Sequence, residues 1–129
     1  MTSPTPRILD LDFVYIELYD NYMISTIREG VVFDKEHLER FYTIFDTYYA
    51  NKPVAYISNR EYDYTVDPTC YIQGSEYKNL VAMAIWCHNE ASYNTAKFEK
   101  NFYSRPFDIF YNLEDAKEWI FEILNQNKK

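Results

Sequence analysis

The sequence predicts a single α/β domain built on a five-stranded mixed sheet packed with about four helices. Three observations carry that prediction. An alternating apolar stretch and a turn open the chain, later helical patterns alternate with short apolar runs, and 129 residues match one domain rather than two. Helix–strand alternation after an initial hairpin implies parallel strands joined by right-handed crossovers, with one antiparallel edge. A chain of this length buries roughly two-thirds of the surface its unfolded form exposes, enough to need neither a disulfide nor a structural metal.

Residues 1–9 hold Pro4, Pro6, Thr2, Ser3 and Thr5 and read as a flexible lead-in, leaving 10–126 as the domain. From Leu11 to Tyr19, Val14, Ile16 and Leu18 alternate with Phe13, Tyr15 and Glu17, the period of a strand. Asp20-Asn21 is turn chemistry and Tyr22 to Arg28 is a second strand, so the pair forms an antiparallel hairpin that ends near Gly30. Asp34 offers an N-cap, Glu36 suits the positive end of the helix dipole, and Leu38, Phe41, Tyr42, Phe45, Tyr48 and Tyr49 recur at helical spacing. Asn51-Lys52-Pro53 stops this helix, and Pro53 to Ile57 is a short buried strand.

Asn59 to Pro68 has no period and reads as a loop or a broken helix; a short helix over Thr69 to Tyr77 follows Pro68. Leu80 to Cys87 is an uninterrupted apolar run, suited to a central parallel strand. A third helix fits Glu90 to Tyr103, with Ala91, Thr95, Phe98 and Phe102 sharing a face. Pro106 begins a last strand to Tyr111. Asn112 then caps a final helix that turns Leu113, Ala116, Ile120, Ile123 and Leu124 inward.

A formal net charge of -7 opposes binding to nucleic acid or to an anionic membrane surface, and the terminal pair Lys128-Lys129 reads as a solvated tail. No apolar stretch approaches the length of a membrane span, and Met1 to Arg7 has no apolar signal core. Cys70 and Cys87 lack the paired spacing of a zinc or dithiol site, so free thiols in a reducing cytoplasm are expected. With 2 Gly in the chain, a phosphate-cradling loop is not expected, and neither is any cofactor or metal.

In open α/β sheets the functional crevice lies beyond the carboxyl ends of the parallel strands. That rule selects Ser58, Asn59 and Arg60, then Cys87, His88 and Asn89, then Tyr111 and Asn112. These polar groups either bind a ligand or cap helices. Cys87 and His88 are strand neighbours that point to opposite faces, which separates a nucleophile from its base. The least generic stretch runs from Asn59 to Thr69 and includes Arg60, Tyr62, Tyr64 and Asp67. It serves either as a lid or partner-binding loop or as a cover for the sheet end, with Arg60 paired to Asp63 or Asp67.

The opening hairpin, the long aromatic helix, the strand ending in Asn59-Arg60, the helix entry Val66-Asp67-Pro68-Thr69 and the apolar strand 80–87 together resemble a known group. These are the SpoIIAA-like, or STAS/SEC14-type, small bacterial domains, and the resemblance covers about residues 10–125. It implies a five-stranded mixed sheet with helices packed on it. From the STAS relatives it implies an anti-sigma-factor antagonist that binds a kinase-like partner and switches on serine phosphorylation. The phosphorylated serine there lies in an Asp-Ser-Ser-Gly-type turn at a helix start, a tetrapeptide absent here; Thr69, at a helix entry, is the position that suits phosphate. The SEC14 side implies an apolar ligand. The expected function is therefore a non-catalytic regulatory or protein-interaction domain with a protein partner or a second copy of itself, the alternative being a small apolar, lipid-like ligand. The candidate contact residues are Ser58, Asn59, Arg60, Tyr62, Tyr64, Asp67, Thr69 and His88.

Overall fold

The computed structural model describes residues 5–127. Strands β1 (Arg7–Asp10), β2 (Val14–Leu18) and β3 (Tyr22–Ile27) form an antiparallel meander in which Arg7 pairs with Leu18 and Val14 with Ile27. Alternation along β2 sends Val14, Ile16 and Leu18 into the core and leaves Tyr15 exposed. The first strand corrects the expected lead-in over residues 1–9. Arg7–Asp10 is ordered as an edge strand because Leu9 packs on the core and the Arg7 guanidinium sits 5.5 Å from the centroid of the Tyr48 ring. A strand of four residues is too short to show a period in sequence. Residues 1–4 of that lead-in and the Lys128-Lys129 tail lie outside the described residues.

Gly30 turns the chain with a φ of 77°, a left-handed conformation that costs glycine little. Strand β4 (Val32–Phe33) leads into α1 (Lys35–Tyr49). The Asp34 carboxylate accepts the Glu36 and His37 N–H groups while its own N–H donates to His37 Nδ1 at 3.3 Å, a capping box with histidine in the usual Glu/Gln place. Leu38, Phe41, Ile44, Phe45 and Tyr49 bury one face of the helix, which ends where Asn51 adopts a φ of 62°.

Strand β5 (Val54–Arg60) is buried on both faces and runs on past Ile57, the expected end, to include Ser58, Asn59 and Arg60. Strand β6 (Thr65–Val66) pairs in parallel with β4 as a separate two-stranded sheet, tied by Thr65 N–H to Val31 O (3.0 Å) and Asp67 N–H to Phe33 O (2.9 Å). The stretch expected as a loop or broken helix therefore contains a strand, and its partner lies across α1, beyond any local signal. Helix α2 (Thr69–Gly74), β7 (Leu80–Cys87), α3 (Glu90–Glu99), a 3-10 turn (Lys100–Phe102), β8 (Phe107–Phe110) and α4 (Leu113–Gln126) complete the chain.

The main sheet has six strands in the order β1-β2-β3-β5-β7-β8 where five were expected, the addition being β1. From β3 onward the neighbours are parallel. Helices α1, α2 and α3 cover one face, over a core that includes Ile16, Met23, Phe45, Tyr56 and Ile85. On the other face α4 packs Ala116, Ile120 and Leu124 against Ile24, Ile57 and Ala84. At the β8 edge, Pro106 precedes the strand and the Asp108 carboxylate accepts the Ile109 N–H at 2.8 Å.

Helix α3 ends at Glu99 where Tyr103 was expected, the chain continuing as the 3-10 turn. Ala91, Thr95 and Phe98 face outward, Phe98 being 58% exposed, and the residues it buries are Ala96 and Glu99. The helix is turned so that a carboxylate enters the interior, for a reason that the site makes plain.

The two glycines make opposite predictions. A Cβ on Gly74 would meet only Tyr103 Cε1 at 4.0 Å, and the position has no left-handed backbone. Gly74→Ala is expected to stabilise the fold by about 0.4–1 kcal/mol, and Gly30→Ala to destabilise it by roughly 1–2 kcal/mol. Urea unfolding of both variants checks this; shifts of the same sign would contradict it.

Candidate functional site

Because side chains alternate along a strand, β5 divides the predicted residues between two faces. Ser58 and Arg60 join the α1–α3 side, where the Ser58 and Tyr64 hydroxyls share a hydrogen bond of 3.0 Å. Arg60 is buried; its Nε donates to Ser58 Oγ (3.0 Å), and its Nη2 donates to the Tyr71 hydroxyl (2.9 Å) and to Glu99 Oε1 (2.8 Å). The Tyr64 ring lies 5.1 Å from the guanidinium, a cation–π contact. Tyr56 and Ser25 extend the polar cluster across the sheet by a short hydrogen bond between their hydroxyls. Arg60 is thus bound to Glu99 and not to Asp63 or Asp67, the partners that sequence proximity offered.

Burial works against the charge on Arg60, but Tyr64, Tyr71 and Glu99 outweigh it and hold the group charged, above its ordinary range. Burial is also the main reason that the Tyr56, Tyr64 and Tyr71 phenols stay protonated beyond the usual tyrosine range. A guanidinium and a carboxylate this deep need each other, since either one alone would be an uncompensated interior charge.

On the opposite face Asn59 Nδ2 donates to Thr26 Oγ1 (3.1 Å), and Asn59 Oδ1 lies 2.6 Å from His88 Nε2. Trp86 flanks the imidazole with ring centroids 4.8 Å apart. Cys87 is fully buried and His88 exposed, so the two are separated as strand alternation requires. The remaining candidates stand apart from both groups. Tyr62 is 43% exposed beyond β5, and Asp67 accepts both the Thr69 N–H (3.0 Å) and the Thr69 hydroxyl (2.9 Å) at the start of α2. The Thr69 hydroxyl is therefore already bonded to a carboxylate, and a phosphate there would meet like charge.

Two hollows adjoin the Arg60 cluster. A half-open pocket of about 60 Å³ lies between the sheet and the cover formed by α1, β4, β6 and α2, with Phe41, Phe45, Val66, Met83 and Ile85 among its lining. Tyr56, Ser58, Arg60, Tyr64 and Tyr71 line it as well. A surface cleft of about 70 Å³ lies between the loop after β5 and the first turns of α3, lined by Arg60, Tyr62, Asp63, Tyr64, Ala91, Ser92 and Thr95.

Comparison with solved structures finds an uncharacterised protein of the DUF3478 family from Shewanella loihica PV-4, itself described as having a SpoIIAA-like fold. The two share 17% sequence identity and a TM-score of 0.55, over 92% of this chain and 98% of that one. The fold is SpoIIAA-like. No family model and no curated protein matches the sequence. At this identity the SpoIIAA-like architecture is what the two proteins share.

Within that fold, Glu99 and Tyr71 are the site residues that sequence reasoning missed. The available signal was the spacing Ala96–Glu99–Tyr103, which names the inner face of α3 only once a glutamate is allowed inside. Among the described residues no group of three or more His, Cys, Asp or Glu is placed to hold a metal ion, and no helix is long and apolar enough to cross a membrane.

Breaking the buried pair should be costly. Glu99→Ala is expected to lose about 3–5 kcal/mol, whereas the double change Arg60→Met with Glu99→Leu should recover most of it. Urea titration decides, and a single variant no less stable than the double one would refute the pairing. Cys70 supplies a pH signature. Burial pushes its thiol from 9.0 up to about 11, so the unfolded chain gives up this proton before the folded one does. Stability is then fully present below pH 9 and falls as pH rises toward 11, by up to about 1.4 kcal/mol per pH unit. Urea melts across that range should show the decline, shallower in Cys70→Ala, where the raised Cys87 thiol still contributes.

Proposed function

We propose that this chain is a non-catalytic protein-interaction domain of regulatory type, acting in the cytoplasm. Its contact surface is the sheet edge at the carboxyl ends of β5, β7 and β8. The observation that carries this reading is the exposure of tyrosine rings on the loops that leave β5 and β8. Tyr62 is 43% and Tyr111 55% exposed, and Tyr111 stacks on Tyr93 with centroids 5.1 Å apart. Aromatic rings of this kind are enriched in protein contact surfaces. The charged group expected to face the crevice is instead turned inward, since Arg60 spends its donors on Ser58, Tyr71 and Glu99.

Burial raises the Cys87 thiol above its ordinary range, which favours a structural role over a nucleophilic one. Two buried free thiols also suit a reducing compartment. The partner is a protein or a second copy of the chain, and a net charge of -7 sets the field against nucleic acid.

A second reading, a carrier or sensor of a small apolar molecule, is favoured by the apolar pocket under α1 and α2. Native mass spectrometry of the purified protein speaks to it directly. A bound mass released on unfolding supports it, and an apo mass in every preparation with no thermal shift across a ligand panel ends it.

For the first reading, cross-linked pull-downs from native lysate should compare the intact chain with Tyr62→Ala and Tyr111→Ala, both of which remove exposed rings and leave the fold intact. The expected result is a partner retained by the parent and depleted at least several-fold by the variants. Identical partner lists in all three would sink the assignment of this edge.

A further inference from the structure

We propose that the half-open pocket between the sheet and α1–α2 is a binding site for a small uncharged molecule bearing one hydroxyl, and that it rejects carboxylates and ammonium ions of the same size. The proposal rests on the second reading above and narrows its ligand class. It stands on the composition of the wall, the charge balance at its polar end and the volume.

The wall is apolar over Phe41, Phe45, Val66, Met83 and Ile85, which favours an apolar body. Its polar residues are the hydrogen-bonded cluster of Ser58, Tyr64, Tyr71 and Arg60, with Tyr56 bonded to Ser25 beside it. A positive charge in such a wall would ordinarily select an anion. Here it does not, because Glu99 Oε1 sits 2.8 Å from Arg60 Nη2 and both side chains are buried. The pair is neutral as a unit. A carboxylate entering beside it would either displace Glu99 or add an unpaired charge to a low-dielectric space, and an ammonium would lie against Arg60. Hydroxyl oxygens each carry two acceptor positions, so the phenols and Ser58 retain capacity to accept from a ligand O–H.

The volume sets the size. About 60 Å³ is well below the roughly 150 Å³ of an apolar cavity that admits benzene. An acyl chain does not fit, and the class is that of the short-chain alcohols.

Three probes of matched length test the inference: ethanol, acetate and ethylammonium, titrated at neutral pH into the full chain with methyl resonances assigned by NMR. Ethanol is expected to shift the Val66, Met83 and Ile85 methyls saturably, with at least tenfold tighter binding than either ion. In Glu99→Gln, where Arg60 loses its counter-charge, the preference should move at least tenfold toward acetate. Acetate binding the wild type as tightly as the alcohol would overturn the inference while leaving a ligand-binding pocket standing. No saturable shift from any probe would overturn both. The wild-type titrations decide the matter alone should Glu99→Gln fail to fold.

Discussion

The ion pair between Arg60 on β5 and Glu99 on α3 is the constraint around which this half of the molecule is arranged. Interior charges of this kind persist only when each satisfies the other and their remaining donors find acceptors. That requirement fixes the rotation of α3, which turns Glu99 inward and leaves Phe98 in solvent. It draws in Tyr71 from α2 through its hydroxyl, and Tyr64 through both a ring contact and the Ser58 hydrogen bond. One guanidinium therefore ties together a strand, two helices and the strap between them.

Burial on both faces makes β5 the dividing wall of the domain. Its even-numbered residues belong to the pocket and the polar cluster, and its odd-numbered ones to the α4 core and the Asn59–His88 contact. The crevice rule for α/β sheets picked the end of this strand but treated its last residues as one group. They are two sites back to back. An interior one holds charge and hydroxyls away from water, and an edge one presents rings to it. The exposed edge and the interior cluster share the strand and little else.

Much of the fold was legible because the strongest signals were local. The helical spacing of Leu38, Phe41 and Phe45, the apolar run from Leu80 to Cys87 and the Asn112 cap each state an element within a dozen residues. What stayed hidden depended on partners distant in sequence. β1 is too short for a period, and β6 exists only because β4 lies beside it after the whole of α1 has intervened. The inner face of α3 was not legible because a hydrophobicity pattern assigns glutamate to solvent, while the arginine that reverses this lies on another element. Arg60 itself was singled out. Its partner was not, since Asp63 and Asp67 were near in sequence and Glu99 was near only in space.

The two borders of the main sheet have a consequence for how the protein keeps company. At β8 the Asp108 carboxylate occupies the Ile109 N–H, and Pro106 supplies no N–H at the strand's entrance. At the other border β1 spans four residues, follows Pro6, and carries charged Arg7 and Asp10 at its ends. Blunted borders of this kind resist strand addition, the route by which sheets extend into swapped or fibrillar assemblies. Association of this chain with itself or with others is thereby steered toward loops and helix faces, where recognition depends on particular side chains and not on the backbone that every protein shares.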